Sequence, residues 1–171
     1  MRSQIQPSRA IRVVKDDNIN IPNPAAQTIT GTATSTTVGK LVDSAQDFSV
    51  ERGNPVAIGD IVFNTRDNTI ATVTAIDSPD TLSLSADIMA NTETYTIYKP
   101  NQNLGCLLYI TGVRAASDKV KVLTSGGDTV ELAVLGTPGT SGGWGVVLPL
   151  QVVRVFKTDT TASLTIHAFF N

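Results

Sequence analysis

The chain is predicted to be all-β: an antiparallel β-sandwich or jelly-roll-like domain carrying an inserted small β-barrel. Three observations support this. Apolar and polar residues alternate with period two in several short runs, as in Ala71-Thr72-Val73-Thr74-Ala75 and Leu82-Ser83-Leu84-Ser85. Thr, Val, Ile and Gly dominate, and the long runs of Ala, Glu, Leu and Lys that build solvated helices are missing. Turn residues recur between the runs at strand-like intervals.

Each element follows from local chemistry. Residues 1–10 are polar and form an arm. Ala10 to Val14 is β-prone and stops at Asp16-Asp17-Asn18. Pro22 and Pro24 then enforce extended geometry. Thr28 to Thr37 is β-prone with a Gly break. Residues 41–51 are the best helical candidate, with Leu41, Phe48 and Val50 apolar and Ser44 able to cap a short turn. Ile61 and Phe63 should share one face, and residues 64–69 make a polar turn. The next two alternating runs flank a turn at Asp77-Ser78-Pro79-Asp80, and Tyr95 and Ile97 lead to a stop at Lys99-Pro100.

The C-terminal part is the most regular. Residues 105–112, GCLLYITG, form an almost continuous apolar run, so a strand buried on both faces is expected. Val120 and Val122 lead into Ser125-Gly126-Gly127-Asp128, a tight hairpin turn in which glycine supplies positive φ. Val130, Leu132 and Val134 should then share a side. A Gly-rich loop precedes a long strand from Val146 to Phe156 that breaks at Pro149. After a turn at 158–161, Leu164, Ile166, Ala168 and Phe170 alternate. Strand ladders in series with no helix between them point to antiparallel layers.

Composition narrows the functional classes. Apolar residues make up 41% of the chain and charged residues 16%, too apolar for a disordered segment. No run approaches the roughly 18 to 20 apolar residues of a membrane helix. The N-terminus lacks the apolar core and cleavage site of a signal peptide, so synthesis in the cytoplasm without standard secretion is expected. Cys106 stands alone, which rules out an intrachain disulfide or a thiolate metal cluster, and it reads as a small buried hydrophobe. Residues 28–98 hold three basic against nine acidic residues, a net −6, while the remainder holds ten against six, a net +4. A nucleic-acid footprint is missing from the middle and weak elsewhere.

Several motifs resemble those of phage head-decoration proteins, in particular the gene-transfer-agent-like head spike base family. They are Arg9-Ala10-Ile11-Arg12-Val13, GCLLYITG at 105–112, SGGDTV at 125–130, LPLQVVRV at 148–155 and TDTTA at 158–162. Their order is more specific than any one of them. The match covers about 85 residues in two pieces, separated by an acidic block that itself resembles modules of phage structural proteins. The resemblance implies an arm and first strand at 1–27, an inserted β domain at 28–98 and the main sandwich at 99–171. It also implies a virion protein on the capsid surface that decorates, cements or forms the spike base of a tailed-phage head. Its partners would be the major capsid protein, further copies of itself as a homo-trimer or homo-pentamer, and another spike or fibre protein. Nucleic acid, membrane and cofactors have no part in that reading. Two alternatives stand beside it: a tail or baseplate component, and a module binding host-surface carbohydrate.

Residues suited to chemistry are few. His167 is the only histidine and has no second ligand nearby in sequence, so a strand position facing solvent or an interface is expected. The loop at 136–145 lacks the Lys-Ser/Thr pair of a phosphate loop and leads into a strand, so it offers no helix N-terminus to an anion. Its Trp144 suits a contact anchor. Asp60, Asp67, Asp77, Asp80 and Asp87 lack the spacing of a calcium loop and read as solvated turn acids. Neither a catalytic nor a metal-binding constellation is expected. The interface candidates are Trp144, Arg154, His167 and Phe170.

Overall fold

The computed structural model describes residues 7–49, 55–112, 117–134 and 145–171. Among these it contains twelve strands: β1 (Arg9–Arg12), β2 (Gln27–Thr32), β3 (Lys40–Val42), β4 (Ile61–Asn64), β5 (Thr69–Ser78) and β6 (Thr81–Leu84), then β7 (Thr94–Tyr98), β8 (Cys106–Thr111), β9 (Lys119–Thr124), β10 (Thr129–Ala133), β11 (Val146–Val155) and β12 (Thr165–Phe170). The only helical element among them is one 3-10 turn at Pro24–Ala26. The chain divides into two compact units, residues 1–24 with 103–171, and residues 25–102. Each is built on one six-stranded antiparallel sheet.

The first unit has strand order β1-β12-β8-β11-β9-β10. Alternation in sequence becomes alternation in burial: Leu164, Ile166, Ala168 and Phe170 face the core, and the residues between them are half-buried. The β9–β10 turn closes with Gly127 at φ 94° and its N–H donating to Thr124 O at 3.1 Å. β11 serves two partners. Val146–Leu148 pairs with β8, the register shifts between Leu148 and Val152, and Val152–Val155 pairs with β9. An irregularity of this kind bends a long strand, and here it coincides with Pro149. Leu108, Ile110, Val120, Val122 and Val152 are fully buried in the resulting core. Each such side chain contributes about 1.5–3 kcal/mol over an exposed one.

The second unit has order β2-β7-β4-β5-β6-β3. Here β5 is the shared strand, pairing through Thr69–Thr72 with β4 and through Val73–Ser78 with β6. The core gathers Leu41, Phe48, Val62, Val73, Leu82, Tyr95 and Ile97.

Three sequence expectations are corrected. Residues 41–49 are not helical: Leu41 belongs to β3, and turns follow in which Asp43 Oδ1 accepts Ala45 N–H and Asp47 Oδ1 accepts Ser49 N–H. Aspartates that bond the backbone two residues on compete with helix, and Phe48 N–H donates instead to Pro79 O. Residues 50–51 lie outside the described residues. The run in β8 is buried on one face only, because Leu107, Tyr109 and Thr111 are half-exposed. Conversely β4 is buried on both faces, with Val62 and Asn64 as well as Ile61 and Phe63 inside.

Candidate functional site

The predicted contact residues do not converge. Arg154 in β11 is a clamp: its Nε donates to Asn20 Oδ1 at 2.9 Å and its Nη1 to Asp17 O at 2.8 Å. Its guanidinium lies 5.7 Å from the Phe156 ring centre, with Lys121 Nζ at 5.6 Å from the same ring. These bonds hold residues 17–20 against the end of β11, so Arg154 is already engaged within the chain. His167 sits in β12 between Arg12 of β1 and Tyr109 of β8, half-exposed on the face away from the core. Phe170, expected at an interface, is instead a core residue at 4% exposure. Parity explains it, since Phe170 shares the inward phase of Leu164 and Ile166. Trp144 lies outside the described residues.

Arg12 and Glu131, which the sequence reading did not single out, mark the two open edges of the first sheet. Among the described residues β1 pairs only with β12, and β10 only with β9. In β1, Val13 N–H donates to Ile166 O, which fixes the phase: Ile11 points its backbone groups toward β12, and Ala10 and Arg12 point theirs away. In β10, Thr124 N–H donates to Asp128 O and Val134 N–H to Asp118 O, so Thr129, Glu131 and Ala133 point outward. Arg9, Ala10, Arg12, Thr129, Glu131 and Ala133 are exposed, while Ile11, Val130 and Leu132 are half-buried against the core. The signal legible in sequence was the charged, alternating composition of these two short strands, which is how edges are protected.

The acids of the second unit hold structure together. Asp60, expected in solvent, is 1% exposed, and its Oδ2 takes Lys99 Nζ at 2.8 Å and Ala57 N–H at 3.0 Å. Asp43 Oδ2 accepts Tyr95 Oη–H at 2.7 Å. Glu93 Oε2 accepts Ala90 N–H at 2.7 Å and Asn64 Nδ2 at 2.8 Å, and the Ala90 N–H is the main reason its carboxyl lies below the usual range. The exposed Asp77 and Asp87 and the half-buried Asp80 fasten turns: Asp77 binds Lys40 and Ser83, Asp80 binds Ser78 and Thr81, and Asp87 accepts Gly39 N–H. No group of three or more His, Cys, Asp or Glu among the described residues could hold a metal ion. A cleft of about 440 Å³ runs past Gly31, Thr34, Gln46 and Asn91, and its lining contains no aromatic ring on which a sugar could stack.

Cys106 is buried, and its Sγ–H donates to Val152 O at 3.1 Å. Burial pushes the thiol pKa up to about 12, against the opposing Asn103 amide. A thiol so placed is a packing group and not a nucleophile. Among the described residues no helix is long and apolar enough to cross a membrane. Compared with protein families, curated proteins and solved structures, the chain matches none.

Proposed function

We propose that the chain is a structural protein of a tailed-phage virion, a decoration, cement or spike-base component that stabilises the head by binding major capsid protein and copies of itself. One observation carries this reading. The two stretches bearing the ordered motifs, near the N-terminus and after residue 103, fold into one sheet in which β1 pairs with β12. Separate pieces of a motif series are expected to meet in this way when one domain has been interrupted by another. On this reading the first unit is a sandwich of jelly-roll type folded at β11. The second is a small barrel, rolled so that Thr34 N–H reaches Val42 O at 2.8 Å near its two edge strands. Binding through several modest interfaces on a repetitive particle gives avidity without a deep pocket.

The test uses heads assembled without this chain. Purified chain should co-sediment with them and raise their resistance to heat. Failure to bind heads, together with retention on host polysaccharide, would overturn the reading in favour of carbohydrate recognition. Binding to isolated tails alone would move the protein to the tail or baseplate.

A further inference from the structure

We infer that the first sheet continues from copy to copy, with β1 of one chain pairing antiparallel to β10 of the next in a head-to-tail contact. The inference rests on the assembly reading above for its purpose, but not on capsid binding. Four observations select this contact over others. The sheet has six alternating strands, so its two edges run in opposite directions and a rotated copy joins antiparallel without being turned over. The outward-pointing backbone residues on both edges, Ala10 and Arg12 on one and Thr129, Glu131 and Ala133 on the other, also carry the side chains that face away from the core. Pairing them therefore matches faces: Arg12 opposite Glu131 outside, Ala10 opposite Ala133, and Ile11 opposite Leu132 inside. Ile11 and Leu132 are both half-buried within one chain, and the junction would finish covering them.

Charge decides the partner. Arg9 and Arg12 are exposed on β1, with Lys15 close behind; Asp128 and Glu131 are exposed at β10. Two β1 edges would gather their arginines on one seam, and two β10 edges would set Glu131 against itself, so neither symmetric pairing is favoured. Glu131 Oε2 already touches Lys119 at 3.2 Å, but both groups are more than 40% exposed, and an exposed pair holds its carboxylate weakly. A head-to-tail contact closes into a ring when its rotation divides a full turn, and otherwise extends as a filament.

Light scattering of the purified chain over rising concentration should show self-association. Arg12→Glu and Glu131→Arg should each weaken it roughly tenfold, and an equimolar mixture of the two should associate more strongly than either alone, because every junction between unlike variants regains one of each charge. Ala10→Pro removes an outward N–H while leaving the bonds to β12 intact, and should abolish association. Ala133→Pro does the same from the other edge, opposite Ala10, if the first variant does not fold, as judged by circular dichroism. A wild-type chain that stays monomeric throughout, a mixture no better than its parts, or association that survives a folded proline variant would overturn the inference. A monomer that still binds heads sinks the head-to-tail contact alone; an associating chain that ignores heads sinks the functional reading alone.

Discussion

Replacing Gly31 by alanine should unfold residues 25–102 ahead of the rest of the chain. Gly31 of β2 lies opposite Tyr95 of β7. A Cβ there would stand 2.5 Å from Tyr95 Oη and 2.7 Å from its Cζ, and would overlap Asp43 Oδ2 as well. The obstacles are a ring 1% exposed and a carboxylate 2% exposed, so neither can swing into solvent. Either the ring leaves its site or β2 leaves β7. The first route breaks the 2.7 Å bond from Tyr95 to Asp43, and a hydrogen bond to a charged group is worth about 1.5–3 kcal/mol. Overpacking strain adds about 1–3 kcal/mol. The total, about 2.5–6 kcal/mol, is a large part of what a small domain has. Urea unfolding followed by circular dichroism should gain an early transition, while Cys106 in the other unit stays protected from thiol reagents until the later one. Tyr95→Phe should cost about 1.5–3 kcal/mol alone and much less beside Gly31→Ala, because the bond is then already lost. An unchanged urea midpoint for Gly31→Ala, or equal Tyr95→Phe costs in both backgrounds, would refute this argument.

Two further outcomes are expected. Cys106 should resist thiol reagents at pH 8 in the folded chain and react promptly in denaturant, since its pKa is pushed up to about 12 by burial; rapid labelling of the native protein would contradict the packing described. On acidification, the urea midpoint should hold steady down to about pH 4 and then fall. Asp17, Asp77, Asp80 and Asp159 are held below their ordinary 3.8, chiefly by hydrogen bonds from Thr158, Lys40, Ser78 and Lys121 respectively. A carboxyl with a lowered folded pKa lends stability above its unfolded value and loses it as pH falls through the folded one, so a midpoint that rises below pH 4 would contradict these bonds.

The all-β character was legible because alternation and turn chemistry agree over most of the chain. Ser125–Asp128, Pro149 and the phase of β12 are examples where local pattern and final structure coincide. Residues 41–49 misled because Leu41 and Phe48, at helix-compatible spacing, are separated by two aspartates whose turn bonds win locally. β4 misled differently. Asn64 is fully buried, yet its Nδ2 donates to Ile88 O and Glu93 Oε2 and its Oδ1 accepts Arg66 and Asp67 N–H, partners that no periodicity reveals. Edge positions were the hardest to read. Whether a strand such as β1 or β10 has one neighbour or two depends on pairings that span most of the chain; Phe170 was misjudged for a different reason, because the alternation of β12, an inner strand, already set it in phase with Leu164 and Ile166.

The pairing of β1 with β12 also sets an order of events during synthesis. The first strand emerges early and must wait for the last, whereas everything residues 25–102 need is available once β7 has been made. The second unit can therefore fold while its host is still incomplete. Once folded, it holds β2 against β7, with Lys99 N–H on Ala26 O at 3.0 Å, so its entry and exit points stand side by side. The loop that β1 and β12 must close, residues 13–164, is then shortened in effect to residues 13–24 and 103–164, about half its length, and the entropic cost of bringing the two strands together falls by about 0.6 kcal/mol. An insertion that looks like an interruption in the sequence thus acts in folding as a staple.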